Sequence, residues 1–98
     1  MNYFAVVRKR GPRWNPSVSM RKQRLWREHA AFMDSLAEVG FIVLGGPVGG
    51  GERTFLFLVK ADSKKTIRVR LAADPWVREM LLRTSSIEPW RLLLGKTK

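Results

Sequence analysis

Cysteine is absent from this 98-residue chain, and histidine occurs once, at position 29. Disulfides and thiolate metal sites are therefore excluded, and a zinc site built from one chain lacks the ligands it needs. Carboxylates are scarce: 8 Asp and Glu stand against 19 Lys and Arg, for a formal net charge of +11. Long hydrophobic runs are missing too, and no stretch approaches the roughly 18 apolar residues of a membrane span. At the start, "MNYFAVVRKRGPRW" places its apolar residues before its charges. That order is the reverse of a secretory signal peptide and points to a cytoplasmic protein.

What is present suits a globular fold: 45% of residues are apolar, with 4 Trp and 5 Phe. The length implies one domain over residues 1–98, ending in the basic tail "GKTK" at 95–98. A chain this short buries a modest share of its surface, so a second copy would add to its core. The charge suggests affinity for polyanions. Yet "RKR", "RKQRLWR" and "RVR" fall on different elements and carry no nucleic-acid signature. A solvated basic surface is the simpler account; a nucleic-acid-binding or regulatory module is the alternative.

The pattern of apolar residues predicts the elements. "NYFAVV" (2–7) reads as a first strand. From Met20 to Val39 a helix is expected, with Leu25, His29, Phe32, Met33, Leu36 and Val39 on one stripe and Gly40 closing it. "FIVLGGP" (41–47) and "TFLFLVKA" (54–61) are the second and third strands, and "LGGPVGGGER" is a turn rather than a phosphate loop, because no helix follows it. The third strand lacks polar alternation, which implies cover on both sheet faces and argues for a dimer. In "DSKKTIRVRLAADPW" a cap at Asp62 or Ser63 favours a second helix over the competing alternation of Ile67, Val69 and Leu71. "SSIEPWRLLL" (85–94) is the last strand. The order is βαββαβ, a ferredoxin-like α+β fold with an antiparallel sheet and both helices on one face.

His29 sits inside the apolar stripe, so its ring points toward the sheet or a cleft beside it. A partly buried, carboxylate-paired imidazole suits general-base chemistry. On local spacing alone, a histidine satisfied by a backbone carbonyl or an indole face is the commoner case. Asp34 lies about 140° around the helix and cannot easily meet it, and Glu28 also splays away. Asp74 in "AADPW" is the better partner, although Asp before Pro is also a good helix N-cap; the two roles are compatible. Trp14, Trp76 and Tyr3, interleaved with arginines, suit a pocket for a flat or anionic small molecule as well as a packed core.

Taken together, "YFAVVRKRGPRW", "HAAFMDSLAEVGFIVLGGP", "LAADPW" and "IEPWRLLLG" resemble the YCII-related family of small proteins over nearly the whole chain. The resemblance implies a dimeric α+β barrel in which two ferredoxin-like sheets face each other. It also implies that His29 and Asp74 form the active-site pair. One branch of that family eliminates chloride from a chlorinated hydroxyhydroquinone, so the implied activity is cofactor-independent proton-transfer chemistry of a lyase or isomerase type in a dimer cleft. Trp76, Trp14, Tyr3 and Met33 are the expected pocket residues, with one arginine available for an anionic oxygen. No metal or cofactor is expected, and the expected partners are a second copy and a small molecule.

Overall fold

The computed structural model describes residues 2–95. Its central strand, β1 (Asn2–Arg10), alternates buried Phe4, Val6 and Arg8 with more exposed Tyr3, Ala5 and Val7. The two-residue period turns one set toward the helices and the other away from them. β1 pairs antiparallel with β3 (Thr54–Ala61) and with β4 (Leu82–Pro89), while β2 (Ile42–Val48) flanks β3, giving the order β2-β3-β1-β4. Helices α1 (Trp26–Glu38) and α2 (Lys64–Leu71) cover one face, and a single turn, α3 (Pro75–Arg78), makes the corner before β4. This is the expected ferredoxin-like α+β architecture. Among the described residues no helix is long and apolar enough to cross a membrane.

Two apolar clusters lie between the sheet and the helices. The larger joins Phe4, Val6 and Val59 of the sheet to Leu36 of α1 and to Ile67 and Leu71 of α2. The smaller gathers Trp14, Phe55, Trp76, Leu81 and Leu82 at the end of the sheet near α3. Phe57 packs against both. The seam between them is where the polar residues described below are buried.

Several boundaries differ from the sequence reading. The long first helix does not begin at Met20: a 3-10 turn occupies Met20–Lys22, Gln23 is extended, and Leu25 takes a left-handed conformation at φ 62° before α1 starts. A buried Gln23 side chain holds this loop by donating to the carbonyls of Asn15 at 2.7 Å and Val18 at 3.1 Å and accepting from the Asn15 N–H at 3.0 Å. These bonds outweigh local helix propensity. β1 runs on to Arg10 because its last residues still pair with Thr84, Arg83 and Leu82. β4 accordingly begins at Leu82 and ends at Pro89, so the expected strand over 85–94 is displaced toward the N-terminus. β2 continues through Gly45, Gly46 and Pro47 rather than breaking there, as an edge strand permits.

Two glycines are required by close approaches. A Cβ on Gly45 would overlap the Phe57 ring, and one on Gly11 would overlap the Met80 carbonyl. The second approach lets the end of β1 bond the α3–β4 corner, Gly11 N–H to Leu81 O at 2.7 Å and Arg13 N–H to Met80 O at 3.0 Å. The corner carrying Asp74 and Trp76 is thereby drawn onto β1.

The face opposite the helices carries Ala5, Val7, Leu44, Val48, Leu56 and Leu58 by register. Leu58 is buried within the chain, Leu56 is half-buried, and Leu44 and Val48 stand 60% and 46% exposed. β3 is thus apolar on both faces, one packed under the helices and the other carrying buried Leu58 and half-buried Leu56.

Candidate active site

Asp74 arises where α2 ends and Pro75 starts the next turn. Proline disfavours helix at the residue before it, so Asp74 is extended, at ψ 126°, and its carboxylate caps α3 by accepting the Trp76 N–H at 2.9 Å. The side chain is completely buried. Capping uses part of the carboxylate's capacity and leaves the rest for other donors.

His29 supplies one of them. It lies in the first turns of α1 on the face toward α3, and its Nδ1 is 2.9 Å from both Oδ1 and Oδ2 of Asp74. Capping and imidazole pairing, expected to be compatible, coexist in one carboxylate. The imidazole lies flat on the Trp76 indole, with centroids 3.8 Å apart and planes 7° from parallel. Trp76 is itself pinned, its Nε1–H donating to the Arg24 carbonyl at 2.6 Å.

The third donor is Arg8, which donates from Nη2 to Asp74 Oδ2 at 2.7 Å, with neither side chain exposed at all. Burial lowers the hold of Arg8 on its proton, and the Asp74 charge opposes that change. For Asp74, burial acts to raise the pKa. The hydrogen bond from His29 and the charge of Arg8 more than offset it and hold the carboxyl below the ordinary carboxylate range. An ionised Asp74 accepts, so Nδ1 of His29 carries the proton in this bond and the lone pair of a neutral ring sits on Nε2. No hydrogen bond to Nε2 forms among the described residues.

Arg8 was missed as a site residue because "RKR" reads as a solvated basic run. The available signal was alternation: once β1 is carried past Val7, Arg8 follows Phe4 and Val6 at two-residue spacing and must face the helices. Its guanidinium also meets Met33 Sδ at 3.6 Å and lies 5.9 Å from the Phe57 ring centroid, while its Nε has no hydrogen-bond partner in this buried setting.

Beside the triad, at the seam of the two clusters, is a partly open cavity of about 140 Å³. His29, Trp76 and Met33 line it together with Trp26, Phe55 and Phe57. Trp76 and Met33 thus lie on the same cavity as His29. Trp14 is not among the lining residues; it meets Trp76 edge-on, with centroids 5.4 Å apart and an 80° interplanar angle, and acts as backing. Tyr3 is placed elsewhere, on the helix-free face, with its ring 5.9 Å from Lys60 Nζ. Strand alternation puts the sheet between Tyr3 and His29, so the fold of one chain does not bring Tyr3 to this cavity. No arginine lines the cavity among the described residues. The exposed basic residues are spread over β1, the loop before α1, α1 itself, the β2–β3 turn, β3, α2, α3, β4 and the segment after it.

No protein-family model matches the chain, and no curated protein matches it in sequence. Among solved structures the chain is similar to 5-chloro-2-hydroxyhydroquinone dehydrochlorinase from Burkholderia phenoliruptrix, solved in complex with 2,5-dihydroxybenzoquinone. The TM-score is 0.62 at 20% sequence identity, with 95% of each chain covered. At that identity the likeness establishes a shared fold.

Proposed function

We propose that this protein is a small-molecule enzyme, or enzyme-like binder, that moves a proton between its ligand and Nε2 of His29. The chemistry is cofactor-independent, of the elimination or isomerisation type. The observation that carries the reading is the contact of His29 Nδ1 with both oxygens of Asp74 at 2.9 Å, made by a histidine that also lines a cavity. Asp74 holds the imidazole in one tautomer and offsets the positive charge that forms on proton uptake. Arg8 keeps Asp74 ionised and anchored, and so acts through it rather than on the ligand. The shared fold with a dehydrochlorinase supports elimination as one of the reactions to examine, while the YCII-like motifs support His29 and Asp74 as the reacting pair.

A homodimer belongs to the same proposal, with the helix-free faces of two sheets packed together. The exposed Leu44 and Val48 support it. The cavity beside His29 is formed within one chain, so the site does not need the partner's side chains to have walls.

The test compares wild type with His29→Gln and Asp74→Asn on chlorinated hydroquinones and enolisable carbonyl compounds in D₂O, following chloride release and solvent deuterium uptake. Loss of turnover in His29→Gln, and a fall on the order of 10²–10⁴-fold in Asp74→Asn, are the expected results. Turnover in His29→Gln equal to wild type, with only stability reduced, would assign the histidine a structural role.

A further inference from the structure

The cavity beside His29 differs from most anion-binding or polyol-binding sites in its lack of polar groups. None of its lining residues carries a fixed charge. Phe55, Phe57, Trp76, Leu82 and Pro47 supply apolar walls, and the Trp76 indole N–H is already committed to the Arg24 carbonyl. Arg8, the nearest cation to the pair, is ion-paired with Asp74, has no exposed surface and is not among the lining residues. The side-chain groups left to meet a ligand's polar atoms are Nε2 of His29 and the indole N–H of Trp26, neither hydrogen-bonded among the described residues.

Size narrows the choice further. A cavity of about 140 Å³ is comparable with an apolar protein cavity of about 150 Å³ that accepts a benzene ring. Flat aromatic walls favour a planar ligand. A carboxylate in this space would lie against hydrocarbon with no fixed cation among the lining residues, and each hydroxyl or carbonyl held against the apolar walls would lose water without a side-chain partner.

We infer that the ligand of this site is an uncharged single-ring molecule carrying one proton donor, of the phenol or azole class, with that donor directed at Nε2 of His29. This rests on the proton-transfer reading for the direction of the hydrogen bond and goes beyond it in ligand class. It separates this chain from the polyoxygenated ligand of its structural neighbour: 2,5-dihydroxybenzoquinone brings four oxygens to a cavity whose lining side chains offer two unpaired polar groups.

The experiment measures binding of phenol, toluene, benzoate and 2,5-dihydroxybenzoquinone to the full chain by calorimetry at neutral pH, with the Trp26 indole and His29 ring resonances followed by NMR. Phenol should bind saturably and shift both resonances. Benzoate and 2,5-dihydroxybenzoquinone should bind roughly tenfold or more weakly. The preference for phenol over toluene should shrink in His29→Gln, and Met33→Phe, which fills the cavity, should weaken phenol. Benzoate or the quinone binding as tightly as phenol would overturn the inference, as would phenol shifting resonances away from Trp26 and His29 or failing to saturate. Selectivity is read on wild type without turnover, so its failure is distinct from failure of the proton-transfer reading, which shows as turnover surviving in His29→Gln.

Discussion

Trp76 forms a platform on which the His29 ring rests, 3.8 Å between centroids and 7° from parallel. Its backbone N–H donates to the same Asp74 that pairs with His29. One residue thus sets the ring's plane from below and its partner's position from the side. Trp76→Leu keeps the N–H and removes the platform. It should cost about 2–4 kcal/mol of stability by urea denaturation, through lost packing area and the lost bond to the Arg24 carbonyl. It should also abolish the upfield ring-current shift of the His29 imidazole protons. An unchanged imidazole shift would mean that the two rings are not stacked in solution.

Arg8 and Asp74 make a fully buried ion pair at 2.7 Å, and breaking such a pair leaves one charge without a partner. Arg8→Met should destabilise the fold by about 3–5 kcal/mol. Adding Asp74→Asn should cost much less than the sum of the two single changes, because the neutral amide no longer needs a cation. Equilibrium unfolding of the four members of this cycle gives the coupling. Strict additivity would show that the two groups do not interact energetically.

How far the sequence alone reaches is visible in these same residues. Asp74 was legible because Asp-Pro has local consequences, and the helix after Ser63 was legible because the cap is local, with the Ser63 hydroxyl accepting the Thr66 N–H at 3.1 Å. His29 was placed on the correct face of α1 by its stripe, even though the helix begins at Trp26 and not at Met20. What was not legible depends on contacts distant in sequence. Gln23 ends the upstream helical run through Asn15 and Val18, and Glu52 helps by accepting the Met20 N–H at 2.9 Å. Arg8 required knowing where β1 stops, which is decided by pairing with Thr84 and Arg83 more than seventy residues away. Trp14 was recognised as an aromatic of the site region, but nothing in its neighbourhood tells backing from lining.

Acid titration should expose the state of Asp74. Its carboxyl is held below the ordinary carboxylate range in the folded chain, so as pH falls the unfolded chain takes up the proton first. The stabilisation is complete above the ordinary carboxylate range and is lost as pH drops through that range toward the lower folded value. Asp62 adds a contribution of the same sign, its pKa lowered chiefly by the hydrogen bond from Thr66. Asp74→Asn should therefore flatten the acid limb of a stability-against-pH curve, and Asp62→Asn should remove a smaller part. An acid limb unchanged by Asp74→Asn would show that the carboxyl is not preferentially ionised on folding.

Gly45 links the edge strand to the cavity wall. A methyl at this position would overlap the ring of Phe57, which lines the cavity and packs against both core clusters. Gly45→Ala should cost about 1–3 kcal/mol, since the ring must leave its rotamer or β2 must peel outward. Gly46→Ala, with open space around the added carbon, is the matched control and should stay within about 1 kcal/mol of wild type. Thermal unfolding of the pair reads the difference. Equal losses would show that Phe57 yields freely and that the cavity wall is soft.

The helix-free face gives the last prediction. Leu44 and Leu58 are register partners on that face, Leu58 buried and Leu44 60% exposed. Because Leu44 makes little use of the chain's own core, charging it should leave the monomer fold intact while desolvating a charge in any sheet-to-sheet contact. Wild type is expected to sediment as a dimer and Leu44→Lys as a monomer with the same far-UV circular dichroism. Lysine is the stringent choice, since two copies related by a two-fold axis would each bring a cation to a chain already at +11. If Leu44→Lys sediments with wild type as a dimer, the copies associate through another surface. If both are monomers, the apolar face is covered by something other than a second copy.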